Sequence, residues 1–128
     1  MTGWTSDELT KIEAADELQI ASLRRDGGLR HRTTIWVVRL GEDLYVRSVN
    51  GRTAAWFRGT KVRHEGRIWA GGVRKDVTFV DADHDVDAQI DAGYRTKYRG
   101  YAASIVDHVV SPVARSATIK LRPRSTSS

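Results

Sequence analysis

The chain has 128 residues, 40% hydrophobic and 29% charged, with a formal net charge of +5. That size and balance suit one folded core and indicate neither disorder nor a membrane span, and the absence of cysteine excludes disulfides, thiolate nucleophiles and Cys-ligated metal centres. Apolar runs stop far short of the roughly 20 residues of a membrane helix, and residues 1–8 lack the basic start and apolar core of a signal peptide, so a cytoplasmic protein without membrane association is the expectation.

Residues 5–8 form a capping box, Thr5 with Glu8, flanked by Trp4 and Leu9 at staple positions, and predict a short helix over 5–15. Its apolar face is thin, Leu9 with Ile12, which suits a lid over one end of a barrel. Residues 17–24 alternate as a strand, and Asp26-Gly27-Gly28 supplies a tight reversal. Residues 33–40 are β-branched and aromatic, 41–43 are turn residues, and 44–49 again suit a pleated strand, giving a hairpin. A loop at 50–52, a helical turn at 54–58 and extended chain at 61–64 follow. Strands near 67–70 and 75–80 join through Gly71-Gly72. The period then changes: Val86, Ile90, Tyr94 and Tyr98 recur every four residues, and Ala102, Ile105, Val106, Val109 and Val110 continue a helical stripe that Pro112 ends. Residues 115–122 alternate as a last strand.

Six short strands with a late helical pair exclude a doubly wound fold, because parallel sheets need a helix after almost every strand. The expectation is a mainly β (α+β) domain over residues 1–123: a six-stranded antiparallel split β-barrel with a short N-terminal helix, a helical pair before the last strand and a disordered tail at 124–128. Exposed sheet edges favour a homodimer.

Local metal and nucleophile signatures are weak. Asp81, Asp83, Asp85, Asp87 and Asp91 alternate like a calcium loop, but Val86 and Ala92 stand where such a loop needs glycine and a bidentate glutamate. They are expected to be a solvated helix start. The four histidines show no i, i+4 pair, no Ser nucleophile elbow is present, and the glycine pairs match neither Walker A nor the Rossmann fingerprint. No metal site is expected. More informative is a concentration of basic residues, Arg30, Arg32, Arg39, Arg47, Arg52, Arg58, Lys61 and Arg63, with the aromatics Trp36, Tyr45, Trp56 and Trp69 interspersed. Guanidinium forks suit phosphate or carboxylate oxygens, and aromatic rings suit either a flat ligand or the barrel core.

Over residues 18–123 the order of Thr34-Ile35-Trp36-Val37-Val38-Arg39, Leu44-Tyr45-Val46-Arg47-Ser48, Ala55-Trp56-Phe57-Arg58-Gly59, Gly66-Arg67-Ile68 and Tyr94-Arg95-Thr96-Lys97-Tyr98 resembles an uncharacterised bacterial family of small proteins. More distantly the chain is similar to the deazaflavin-dependent nitroreductases of the flavin split-barrel, or pyridoxamine-phosphate-oxidase-like, superfamily. The similar stretches are residues 30–34, Ser48-Val49-Asn50-Gly51, Ala55-Trp56-Phe57, residues 94–101 and Leu121-Arg122-Pro123. Ala55, Phe57 and Arg58-Gly59 depart from that group's Pro, Tyr and Asn-Leu. The resemblance implies that Arg30, Arg32, Thr33, Thr34, Ser48, Asn50 and Gly51 contact a flavin or its phosphate, and that Tyr94 and Tyr98 face the substrate; on a redox reading Tyr94 or Tyr98 is the expected proton donor to the reduced substrate. Arg47, Arg52, Trp56 and Arg58 complete the expected cofactor-binding set.

The leading expectation is a redox enzyme holding a deazaflavin coenzyme or FMN, with hydride transfer done by the cofactor. The departures from the nitroreductase pattern favour a second reading, a cofactor-free catalyst or small-ligand binder on the same barrel. Nucleic-acid binding through basic and stacking residues is a third.

Overall fold

The computed structural model describes residues 3–124. Helix α1 (Ser6–Ala14) begins with the expected capping box, Thr5 accepting from the Glu8 N–H and Glu8 from the Thr5 N–H. The Trp4 indole donates to the Leu121 carbonyl at 3.0 Å, and Leu9 and Ile12 are buried in the main core, so this helix is tied to the barrel at both ends of its first turns.

Seven strands follow: β1 (Leu18–Ser22), β2 (Thr33–Ile35), β3 (Val37–Leu40), β4 (Asp43–Arg47), β5 (Glu65–Ala70), β6 (Val73–Asp81) and β7 (Thr118–Pro123). They form one antiparallel sheet in the order β2-β1-β5-β6-β7-β4-β3. The expected single strand over 33–40 is two, divided at Trp36, and this corrects the count from six to seven. The division closes the barrel: β2 pairs with β1 at one edge, β3 pairs with β4 at the other, and Trp36 alone joins them. Both sheet edges thus belong to one continuous stretch of chain.

Alternation decides which residues face which layer. Val37, Leu44 and Val46 enter the barrel interior with Leu18, Ile20, Ile68, Val77, Phe79, Ile119 and Leu121. Val38 and Tyr45 face outward, where Ile90, Tyr94, Tyr98, Val106 and Val109 cover them in a second core. Those covering residues lie on α3 (Asp87–Lys97) and α4 (Ala103–Val109). Each large apolar side chain buried in either core contributes on the order of 1.5–3 kcal/mol.

Three further boundaries differ from expectation. The helical turn at 54–58 is a full helix, α2 (Ala55–Arg63), which replaces the extended chain expected at 61–64 and stops at His64 in the left-handed region, φ 60°. Gly59 in this helix is a packing device: a Cβ there would stand 2.5 Å from Ser22 Oγ, so only glycine lets α2 lie this close to β1. Pro112 does not simply end a helix; it opens a short one, α5 (Pro112–Arg115), capped by the Ser111 hydroxyl. Of the expected tail, Arg124 is bound to the barrel through the Asp76 carbonyl and the Glu65 carboxylate. Residues 125–128 lie outside the described residues. No helix among the described residues is long and apolar enough to cross a membrane.

Candidate functional site

Where β2 leaves the barrel wall and α2 crosses it, two adjoining hollows share Thr33 and Trp56 and form one groove. One hollow, about 220 Å³, runs from Ser22 and Arg30 to Ala55 and Thr60. The other, about 320 Å³, runs between Thr34, Trp36, Asn50 and Ile105. Together they reach the size range of small-ligand sites, roughly 300–1,000 Å³.

The polar end is set by Arg30. It is half-buried, and its Nε is buried without a hydrogen-bond partner. No side-chain hydrogen bond or ion pair of Arg30 is present among the described residues. Beside it, Ala55 and Trp56 are the first residues of α2, and Ala54 provides no side-chain cap for that helix start. Uncapped helix N–H groups together with an unspent guanidinium make this end suited to an anion. The other end is apolar and aromatic, with Trp36, Val49, Ile105 and Val109 on its walls.

Of the expected site residues, Arg30, Thr33, Thr34, Asn50 and Trp56 come together in this groove. Arg47 also borders it but cannot serve a ligand. Its side chain has no exposure, and its five donors are taken: Nε by Thr118 Oγ1 at 3.0 Å, Nη1 by Asp91 and the Val109 carbonyl, Nη2 by the Asp87 carbonyl and carboxylate. Asp91 also receives Arg115. Burial alone would raise the Asp91 carboxyl, but the hydrogen bonds from Arg115 and Arg47 and their charges outweigh it and hold it below the usual range. Asp87 and Asp91 are therefore inward-facing partners of arginine, 17% and 13% exposed, rather than the solvated helix start expected.

Tyr94 and Tyr98 are corrected in role. Both are fully buried, and burial drives both phenols well above their ordinary value. Their hydroxyls serve the Trp36 bend: Tyr94 donates to the Trp36 carbonyl at 3.3 Å, while Tyr98 accepts from the Val37 N–H at 3.2 Å and donates to the Asp16 carbonyl at 2.8 Å. The Tyr98 ring stacks on Trp36 at 3.8 Å and 4°. These tyrosines hold a groove wall in place and do not reach the groove.

The other expected contacts do not line the groove. Arg32 lies over the Trp69 ring at 3.8 Å and donates to Gln19, on the outer barrel face. Arg52 donates to the Ser116 carbonyl, and Arg58 is exposed outside the groove lining. Ser48 is buried, its hydroxyl unpartnered, and Gly51, at φ 78°, turns the chain beneath Val113. Ser22, Thr60, Val49 and Ile105 were not anticipated as groove residues. Their strand and helix alternation signals a covered face without saying that a hollow adjoins it.

Solved structures share this architecture. The heme storage protein HutZ of Vibrio cholerae superposes with a TM-score of 0.68 at 16% identity, covering 94% of this chain and 90% of its own. A conserved hypothetical protein of Mycobacterium tuberculosis gives 0.63 at 10% identity, covering 98% and 83%. An F420 reductase gives 0.57 at 15% identity, covering 92% of each chain. At these identities the likeness concerns the fold alone, an antiparallel split β-barrel as the sequence suggested. No curated protein matches the chain by sequence. Residues 8–121 match the model of the family described as an uncharacterized protein conserved in bacteria, DUF2255, and the chain belongs to that family.

Proposed function

We propose that the groove binds a flat, anionic redox cofactor of the flavin or deazaflavin class, and that the protein is an oxidoreductase acting on a small organic substrate. The observation that carries this reading is the half-buried Arg30 guanidinium, its Nε buried and partnerless, lining one end of an aromatic groove. A buried polar atom without a partner costs free energy, on the order of 1–3 kcal/mol, unless something binds it. Arg30, Thr33 and the start of α2 would hold a phosphate or carboxylate tail, while Trp36, Trp56 and Ile105 would flank a planar ring, and Thr34 and Asn50 would meet its polar edge. When bound, such a cofactor supplies hydride transfer. The protein supplies orientation and exclusion of water. The F420 reductase among the fold neighbours supports this reading.

A second reading, binding without catalysis, is favoured by the withdrawal of Tyr94 and Tyr98, which leaves exposed His31 as the proton-transfer side chain bordering the groove. HutZ, a heme storage protein, supports it. Titrations with FMN, the deazaflavin coenzyme and heme, followed by absorbance and fluorescence, separate these outcomes. Binding of FMN or deazaflavin at roughly 10 µM or tighter, about −7 kcal/mol, and weaker binding of phosphate-free riboflavin, is the expected result. Arg30→Met should erase the preference for FMN over riboflavin. Binding of neither flavin removes the proposal, and heme binding alone moves it to storage. A homodimer would cover the half-exposed Val49, Ile105 and Val113 near the groove, and sedimentation measures that directly.

A further inference from the structure

The chain has five lysines, and four pair with carboxylates: Lys11 with Asp7, Lys61 with Asp81, Lys75 with Glu8 and Lys120 with Asp43. Lys97 has no carboxylate partner among the described residues. Its Nζ donates to the backbone carbonyl of Val37 at 2.8 Å, which occupies one of its hydrogens. The same side chain borders a cleft between α3 and β3 that shares no lining residue with the Arg30 groove and has a volume of about 580 Å³. The cleft floor is apolar, made by Val38, Leu40, Ala92 and Gly93. Gly93 faces Val38 across the cleft floor, with room for a Cβ at ordinary contact distance, 3.5 Å from the Val38 Cβ. Arg39, on the opposite wall, is already held by Glu13 and the Gly41 carbonyl.

From this arrangement we infer that Lys97 is a covalent capture site for small aldehydes and ketones with an apolar body. The Lys97 nitrogen lone pair attacks the carbonyl carbon, the oxygen takes up a proton, and the carbinolamine loses water to leave a C=N bond. No oxidant or reductant is consumed, and water reverses the step. Attack needs the neutral amine. Burial lowers Lys97 from 10.5 to about 8, while the carboxylates of Glu13 on α1 and Asp16 before β1 pull the other way without overcoming it. Arg39 on β3 is the cation on the facing wall, and the Tyr98 ring lies 5.3 Å from Nζ. Near pH 7.5 the neutral fraction of such an amine exceeds that of a solvated lysine by roughly a hundredfold. This site is independent of the flavin reading.

The test is reductive trapping of the whole protein with benzaldehyde and cyanoborohydride, with peptide mapping of the benzyl group on every lysine and on the N-terminal amine. Lys97 should be labelled about tenfold faster than any other lysine near neutral pH, with a rate that rises to half its maximum near pH 8. Lys97→Arg, which keeps a donor for the Val37 carbonyl, should lose this one modification and keep its circular dichroism. Labelling of Lys97 no faster than Lys11 or Lys120, or labelling confined to the N-terminal amine, overturns the proposal. Because the mapping is done on the unmodified sequence, a variant that fails to fold does not rescue it.

Discussion

Two arginines border the same groove and differ in one respect. Arg47 is fully covered and every one of its five donors has an acceptor, whereas Arg30 is half-covered and keeps a buried Nε with none. In a low-dielectric setting a saturated guanidinium is architecture, and an unsaturated one is a standing cost that a ligand can relieve. A basic side chain near a hollow is therefore a site candidate only after its donors are accounted for. The largest effect should fall on the first arginine. Arg47→Met leaves Asp91 and Asp87 without their buried cation and should cost about 3–5 kcal/mol in urea unfolding. Arg30→Met should leave stability unchanged or raise it by about 1 kcal/mol, since it removes an unsatisfied donor. Equal losses at both positions would break the contrast.

The carboxylate side of the Arg47 cluster sharpens it through pH. Asp91 is held below the ordinary carboxylate range, with Arg115 and Arg47 overcoming the opposing effect of burial. A group depressed in the folded state contributes stability fully above its unfolded value, near 3.9, and loses it as pH falls through the folded one. Asp91→Asn should cost about 3 kcal/mol at neutral pH and flatten the acid limb below about pH 4. Glu8 and Asp81 are also held low and keep the remainder of that limb. Urea midpoints at pH 3 and pH 6 measure the difference; an unchanged acid limb would mean that Asp91 is not the hub of this cluster.

A smaller effect belongs to the turn that brings Asn50 to the groove. Gly51 has φ 78°, and a Cβ there would stand 2.6 Å from Val113 Cγ1. Gly51→Ala combines a left-handed penalty of about 1–2 kcal/mol with that clash, so both stability and ligand affinity should fall. A loss in stability alone would place Asn50 outside the binding surface.

Hairpins and helix faces were legible in the sequence because period two and period four are written in neighbouring residues. Closure of the barrel was not, since residues 33–38 are uniformly β-branched or aromatic and nothing local marks Trp36 as the point where one strand becomes two. The roles of Tyr94 and Tyr98 were hidden for the same reason. Four-residue spacing puts them on one helix face, but nothing in that spacing says that the Trp36 carbonyl, the Val37 N–H and the Asp16 carbonyl meet their hydroxyls. Arg47 shares strand parity with Tyr45, so its face was readable, yet the cover supplied by α3 and α4 was not. Of the seven residues that the resemblance to split-barrel proteins selected, Arg30, Thr33, Thr34 and Asn50 line the groove, and Arg32, Ser48 and Gly51 do not.

The smallest effect concerns Ser48, the other residue among those described whose buried side-chain atom lacks a partner. Its backbone is engaged, the N–H with the Ala117 carbonyl and its own carbonyl with the Gly51 N–H, so the hydroxyl alone is unspent. Unlike Arg30 it does not border the groove, although Arg47, Val49 and Asn50 around it do. Ser48→Ala should therefore change stability by less than about 1 kcal/mol, in the stabilising direction, and leave FMN affinity as it was. If the substitution instead weakens FMN as Arg30→Met does, the groove extends beneath Val49 and the hydroxyl is a ligand contact. An unsatisfied neutral hydroxyl would then mark a site as surely as an unsatisfied guanidinium, and the distinction would rest on proximity to the hollow rather than on charge.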